Sequence, residues 1–155
     1  MNDKITYRKL NLAKTEEVAQ IARIHAEAPR YWQPEYVVTP HSIQKYVEKI
    51  KNIEGKSESL HLIAETSDSS IVGFHWVNMD QEKERVFAYV ISLWVHDEFQ
   101  RRGLATSLKQ QGEEWAKSKG ATFMKTTVHS NNTKMLQFNV RFGYRPGFVE
   151  MIKEF

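Results

Sequence analysis

The segment from Gln100 to Thr106 reads QRRGLAT and combines residue types that could bind a phosphate group. It lies between a predicted strand, Val86 to Val95, and a predicted helix that begins near Leu104. A diphosphate needs several backbone N–H groups that point toward it, and the start of a helix supplies them. Gly103 lets the backbone approach an anion without a Cβ in the way, and the two arginines can add charge-assisted hydrogen bonds.

A solvated basic turn that merely starts a helix is the alternative interpretation, because short motifs match by chance often. The position of the segment, directly after an apolar strand and directly before an amphipathic helix, favours the phosphate site.

The elements around this segment alternate in type. Thr15 and Thr39 are predicted to cap the first two helices, and the second of these begins with Pro40. Two further helices are predicted, one from Leu104 to Lys119 and one from Asn132 to Phe142. The predicted strands are Ile5–Leu10, Leu60–Glu65, Ile71–Asn78, Val86–Val95, Thr122–Val128 and Phe148–Phe155. The later half alternates strand and helix, which indicates parallel pairing through a crossover and a mixed α/β sheet.

These elements and the QRRGLAT segment together resemble the GNAT superfamily of acetyl-CoA-dependent N-acetyltransferases, whose signature is Q/R-x-x-G-x-G/A. Leu93 to Val95 resembles the end of the family's fourth strand, and Val128 to Tyr144 resembles the segment around its last helix. The resemblance implies one domain over residues 1–155. Its expected architecture is a splayed central sheet of six to seven strands flanked by about four helices.

The resemblance also implies a set of cofactor contacts. The strand that ends at Trp94 and Val95 would splay at a bulge and offer backbone groups to the pantetheine arm of acetyl-CoA. The Trp94 N–H is the candidate donor that would polarise the thioester carbonyl, an oxyanion-hole role. Asn132 would contact the pantetheine chain. The pyrophosphate would be held by Gln100, Arg101, Arg102, Gly103, Leu104, Ala105 and Thr106. No metal is expected.

Two catalytic positions differ from the commonest family pattern. Many relatives carry a tyrosine four residues before the glycine of the last helix, as the acid for the departing thiolate, and that position here is Asn139. We interpret Asn139 as a cofactor or water contact, with a polar helix-surface residue as the alternative. Many relatives also use a glutamate on the fourth strand as the base. Val86 to Val95 has no carboxylate, and its only side-chain hydroxyls belong to Tyr89 and Ser92.

Tyr89 is a candidate acid or water anchor, although a strand tyrosine is more often a core residue. His75 and His129 are the other proton-transfer candidates, because a pKa near 6.5 suits transfer near neutrality and either ring could face the cleft. His25 lies on an apolar helix stripe and is predicted to be a core histidine.

The loop from Arg30 to Val38 is the candidate acceptor site. Trp32 and Tyr36 could line it and Glu35 could attract a cationic amine, whereas the alternative is that these side chains only cover the core.

Composition excludes several other classes of function. The chain of 155 residues has no cysteine, which excludes disulfides, thiolate metal sites and a cysteinyl acyl-enzyme. Its net charge of +3 is mild and scattered, so a nucleic-acid partner is not expected. No apolar run is long enough to span a bilayer and no secretory signal is apparent, so a cytoplasmic location without a membrane partner is expected.

The sequence therefore predicts an N-acetyltransferase that transfers acetyl groups directly to an amine of a small molecule or a protein. A non-catalytic acyl-CoA sensor is the main alternative, and a homodimer is left open.

Overall fold

The computed structural model describes residues 4–52 and 55–155. The strands are β1 (Thr6–Lys9), β2 (Ser59–Glu65), β3 (Ile71–Glu82), β4 (Arg85–Val95) and β5 (Phe123–Thr126). The helices are α1 (Thr15–Glu27), α2 (Pro40–Lys51), α3 (Leu104–Ser118) and α4 (Thr133–Arg141), with single 3₁₀ turns at Ala28–Tyr31 and Asp97–Phe99. No helix in these two ranges is long and apolar enough to cross a membrane.

The strands form one mixed sheet in the order β1-β2-β3-β4-β5. The first four strands pair antiparallel, whereas β5 returns through α3 and pairs parallel with β4. This confirms the predicted crossover, the α/β class and the four helices. The predicted count of six to seven strands is wrong for the described residues, which contain five.

Helices cover both faces of the sheet and create two apolar clusters. On one face α3 contributes Leu104 and Leu108, which pack with Val77 and Val90 of the central strands. On the other face α1 and α2 pack on β2 and β3, around a fully buried Phe74. The sheet is therefore held between two layers of helices.

The starts of the first two helices differ in how well the sequence predicts them. Thr39 caps α2 as predicted, since its hydroxyl accepts from the Ser42 N–H at 3.1 Å and the Ser42 hydroxyl accepts from the Thr39 N–H at 3.2 Å. For α1 the predicted cap is off by one residue. Lys14 is the N-cap, without a side-chain cap, and Thr15 is already helical.

The predicted last strand, Phe148–Phe155, is the clearest error. That segment has no strand in the structure, and the side chains of Phe148 and Phe155 are fully exposed. Its apolar residues come as neighbouring pairs, 148–149 and 151–152, and so they do not alternate with the period of two that one buried sheet face needs. Within the described residues the outer edge of β5 consequently has no neighbouring strand, and β5 is half-buried.

Candidate active site

The site begins where β4 and β5 separate. The pairing of β4 with β3 continues to Val95, but its pairing with β5 covers only Phe87–Val90. The register with β3 shifts at the same point, which leaves Ile91 as the extra residue of a β-bulge. One edge of the chain from Ile91 to Val95 therefore has no neighbouring strand in the described part of the molecule.

The predicted phosphate segment lies directly after this edge. Arg101 and Gly103 both adopt left-handed backbone conformations, with φ of 60° and 83°, and α3 begins at the next residue, Leu104. The first intrahelical bond runs from the Ser107 N–H to the Gly103 carbonyl at 3.0 Å. The three N–H groups before Ser107 thus have no helical acceptor, as at any helix start.

The space above the turn is open. A Cβ built on Gly103 would meet nothing within 4 Å, so an anion can approach the backbone there. Successive N–H groups around left-handed residues, together with a helix start, form a concavity that suits an oxyanion.

The side chain of Gln100, a predicted cofactor contact, makes two hydrogen bonds within the protein. Its side-chain N–H₂ donates to the Val95 carbonyl at 3.2 Å and to Asp97 Oδ1 at 2.9 Å. The Gln100 side chain therefore links the end of β4 to the turn. The side chains of Arg101 and Arg102 remain as the charged groups of the turn that can meet an anion. The guanidinium of Arg102 lies over the Phe99 ring at 5.1 Å from its centre.

A cleft beside this turn has a volume of about 370 Å³ and is lined by Asp97, Gln100, Arg101 and Lys134. Lys134 was not predicted from the sequence. It stands in the first turn of α4, and only the tertiary fold brings that turn opposite the start of α3. A lysine two residues after Asn132 offers no sequence signal by itself.

The two predicted asparagines both make contacts within the protein. Asn132 is the N-cap of α4, where its Oδ1 accepts from the Met135 N–H at 3.3 Å. Asn139 is only 6% exposed, and its Oδ1 accepts from Lys109 Nζ at 2.8 Å. The side-chain oxygen of Asn139, a residue predicted to contact a cofactor or water, is therefore engaged inside the protein.

His75 does not reach the cleft. It is fully buried between β3 and α3, and its Nδ1 lies 2.9 Å from the Ser92 carbonyl oxygen. Its Nε2 has no hydrogen-bond partner among the described residues. Burial lowers the pKa of His75 to about 4. This ring is a neutral core group with no contact to solvent. His25 is half-buried, and its ring is edge-on to the ring of Tyr46, in agreement with its prediction as a core histidine.

The two hydroxyl candidates on β4 are in different surroundings. Tyr89 is half-buried, and its hydroxyl is hydrogen-bonded to Thr127 Oγ1, one residue beyond the end of β5. Ser92 is 8% exposed and lies one residue after the bulge, in the part of β4 that pairs with β3 but not with β5. Tyr89 thus bridges the two strands at the base of the splay, and Ser92 lies above it.

His129 meets the predicted acceptor loop. Its ring stacks on Trp32 with the centres 6.3 Å apart, and its Nε2 lies 3.1 Å from the Gln33 amide group. Its Nδ1 accepts from the Asn131 N–H at 3.1 Å. Both ring nitrogens of His129 therefore lie within hydrogen-bond distance of protein nitrogens, one of them in the loop.

The loop crosses the splay from one strand end to the other. Beside Trp32, the Tyr31 hydroxyl donates to Asp97 Oδ1 at 3.3 Å, next to the phosphate turn. Glu35 and Tyr36 lie farther along the loop and are exposed. Of the predicted acceptor residues, Trp32 is thus brought together with His129 beside the separated strands.

Comparison with known proteins identifies the family. Residues 19–144 match the sequence model of the acetyltransferase (GNAT) family, and the chain belongs to this family. No protein of curated function matches the sequence.

Solved structures agree with this assignment. A proposed GNAT family acetyltransferase from Staphylococcus aureus is 29% identical, with a TM-score of 0.66 over 78% of this chain and 98% of that one. The aminoglycoside antibiotic 6'-N-acetyltransferase of Acinetobacter baumannii is 17% identical, with a TM-score of 0.69 over 97% and 98%. A transcriptional regulator from Bacillus halodurans is 16% identical, with a TM-score of 0.75 over 98% and 100%. At such identities, the last two show a shared fold.

Proposed function

We propose that the protein is an N-acetyltransferase that moves an acetyl group from acetyl-CoA directly to an amine. The observation that carries this proposal is the open backbone turn from Arg101 to Thr106, placed at a helix start and immediately after the unpaired edge of β4. Family membership supplies the reaction class, and the turn supplies a place for the diphosphate of the donor.

The residues present fit such a donor. The free N–H groups at the start of α3 would hold the diphosphate, with Arg101, Arg102 and Lys134 as the neighbouring positive charges. The open edge at Trp94 and Val95 would lie along the pantetheine arm, and the Trp94 N–H would donate to the acyl oxygen. Acetyl-CoA, when bound, supplies an acetyl group activated as a thioester.

We propose direct transfer to the amine, which agrees with a chain that has no cysteine thiol to carry the acetyl group. The side chains then serve to bind and orient the amine. Trp32 and His129 would flank it, Tyr89 with Thr127 would anchor it or a water from below, and the exposed Glu35 would attract its positive charge. Tyr36 would complete the outer wall.

The acceptor is proposed to be an amine of a small molecule or of a protein. The Acinetobacter baumannii relative acts on an aminoglycoside, a small polyamine, and its fold covers almost the whole of this chain. Aminoglycosides and other polyamines are therefore the first acceptors to test.

An acyl-CoA sensor without turnover is the second candidate. It is favoured by the strand β4, which carries no carboxylate between Val86 and Val95, and by Asn139, whose oxygen is bound to Lys109. A protein described as a transcriptional regulator has the same fold, so the fold alone does not decide between the two candidates.

Two measurements test these candidates in order. Acetyl-CoA at a hundredfold excess over its dissociation constant should stabilise the protein by about 2.7 kcal/mol, which a rise in melting temperature would report. The absence of any shift with acetyl-CoA or CoA would contradict both candidates.

The second measurement is the release of free CoA thiol in the presence of polyamines, aminoglycosides, amino acids or peptides. The protein has no cysteine and gives no background in this assay. Release that depends on the amine supports the enzyme, whereas binding without release across the panel supports the sensor.

A further inference from the structure

The acceptor loop, residues 30–38, exposes apolar side chains to solvent. Tyr31 is 59% exposed, Val37 is 76% exposed, and Tyr36 is exposed as well. The loop folds back on itself, because the Tyr36 N–H donates to the Gln33 carbonyl at 2.9 Å. Single exposed apolar residues are common, but several in one short loop mark a surface that binds a partner or a ligand. These three side chains do not cover the core and are available to an acceptor.

The first two aromatic residues of the loop are fixed beside the splay. The Tyr31 hydroxyl donates to Asp97 Oδ1 at 3.3 Å, just beyond the end of β4. The Trp32 ring stacks on the ring of His129, which follows the end of β5. One ring is thus held toward each of the two separated strands, and an acceptor that reaches the splay past the loop would meet both.

The same part of the molecule carries few negative charges. The acceptor loop, the run Val86–Val95 and residues 122–132 contain one carboxylate among them, that of Glu35. Asp97 lies next to these segments, but its Oδ1 already accepts two hydrogen bonds from protein side chains. A bound acceptor would therefore meet several aromatic groups and one uncommitted carboxylate.

This balance of charge decides between classes of amine. An ammonium that leaves water must find an opposite charge or hydrogen-bond acceptors, and each further ammonium adds the same requirement. Aminoglycosides and polyamines carry several ammonium groups, which the single carboxylate of Glu35 would not match. An amine with one positive charge needs one such partner. The rest of the acceptor would lie against aromatic side chains, which favour another flat ring.

We propose that the acceptor is an arylalkylamine, a primary amine that carries one positive charge and is joined by a short chain to an aromatic ring. This inference rests on the proposed function and names its substrate class. The ring of the acceptor lies against Tyr31 and Trp32, and Glu35 attracts its ammonium.

The transfer balances for such an acceptor. The amine nitrogen forms a C–N bond with the acetyl carbon, the C–S bond breaks, and its electron pair goes to sulfur. The ammonium gives up two protons to solvent in all, and the thiolate takes one proton from solvent. The products are a neutral amide and the CoA thiol.

The test compares acceptors that differ in shape and charge. Release of CoA thiol gives kcat/KM for 2-phenylethylamine, for hexylamine, which has the same charge without a ring, and for spermidine and kanamycin, which are polycations. We expect 2-phenylethylamine to exceed each of the others in kcat/KM by about tenfold or more, because stacking of rings adds to the free energy of burial. Its kcat/KM should change little with ionic strength, since a single charge is attracted.

Substitutions in the loop test the two rings. Trp32→Leu and Tyr31→Leu should each bring the ratio of kcat/KM for 2-phenylethylamine to that for hexylamine toward one, mainly through a higher KM for the aromatic amine. Trp32→Phe keeps a ring and should keep the preference. Phe148→Leu removes a fully exposed ring outside the loop and is the matched control, with an unchanged ratio. Because Tyr31 is exposed, Tyr31→Leu tests the inference even where Trp32→Leu does not fold.

The outcomes separate this inference from the proposed function. A kcat/KM for 2-phenylethylamine no higher than that for hexylamine, spermidine or kanamycin overturns the acceptor class, and so does a preference that survives in both Trp32→Leu and Tyr31→Leu. Thiol release with any amine still supports the proposed function in those cases. The proposed function fails only if no amine of the wider panel releases thiol, and this inference then fails with it.

Discussion

Gly103 and Gly120 stand at the two ends of α3 and share one backbone geometry. Their φ angles are 83° and 88°, and a Cβ on either would meet nothing within 4 Å. Replacement by alanine should therefore lower the free energy of unfolding by a similar amount at the two positions, about 1–2 kcal/mol for a left-handed residue. Only Gly103 lies at the proposed diphosphate site. We expect Gly103→Ala to weaken CoA binding at least tenfold and Gly120→Ala to leave it unchanged.

Calorimetric titration with CoA, together with urea unfolding of each variant, measures both quantities. Gly103→Val is the more severe version, because a branched side chain tolerates this conformation least. Equal CoA affinity in Gly103→Val and wild type would mean that the turn is not the phosphate site.

The residues of the candidate site were predictable to different degrees. The turn from Gln100 to Thr106, which we propose binds phosphate, was visible in the sequence because it depends on local chemistry, a glycine and a helix start. Lys134 was not, because its role depends on which turns of α3 and α4 face one another. His75 resembled a site residue in the strand pattern, yet the close contact between α3 and β3 seals it from solvent.

At the scale of elements, the strands and helices with regular apolar periods were predicted well, and the errors lie at the ends. Four helices and the parallel crossover follow from periods of 3.6 and 2 and from connection rules. The predicted number of strands was too high because the last segment, Phe148–Phe155, forms none. Its apolar residues occur as pairs, and interactions with the rest of the fold decide its structure. The bulge at Ile91 also leaves no mark in a continuous apolar run.

The packing of α3 on β3 gives an element-scale prediction. A Cβ on Gly112 would lie 2.5 Å from His75 Nε2 and 2.6 Å from Cδ2, and the ring cannot turn freely because its Nδ1 is held by the Ser92 carbonyl. We expect Gly112→Ala to lower the free energy of unfolding by about 1–3 kcal/mol, despite the better helix propensity of alanine.

A double-mutant cycle with His75→Ala tests the cause. The second substitution removes the ring, so Gly112→Ala should cost little in that background, and urea unfolding of the four proteins gives the coupling energy. Additive effects of the two substitutions would show that contact with His75 is not the reason.

At the scale of the whole molecule, buried histidines couple the stability of the fold to pH. Burial lowers the pKa values of His25, His61 and His75 to about 4 each, from an ordinary value near 6.5. The unfolded chain therefore binds protons at these positions before the folded chain does. The fold should have its full stability above pH 6.5 and lose it progressively as the pH falls toward 4.

His61 is the best position at which to measure this dependence. It is 7% exposed, its ring lies parallel to the Phe74 ring with the centres 6.4 Å apart, and no group in the described part of the chain is hydrogen-bonded to its Nε2. His61→Phe keeps a flat ring and removes the titrating group. The free energy of unfolding of the variant should therefore rise relative to that of wild type by about 1 kcal/mol for each pH unit below 6.5. Urea unfolding at about pH 8, 6 and 5 gives this difference directly. His41→Gln, at an exposed position of α2, is the control. If wild type and His61→Phe lose stability in parallel as the pH falls, protonation of His61 does not contribute to acid unfolding.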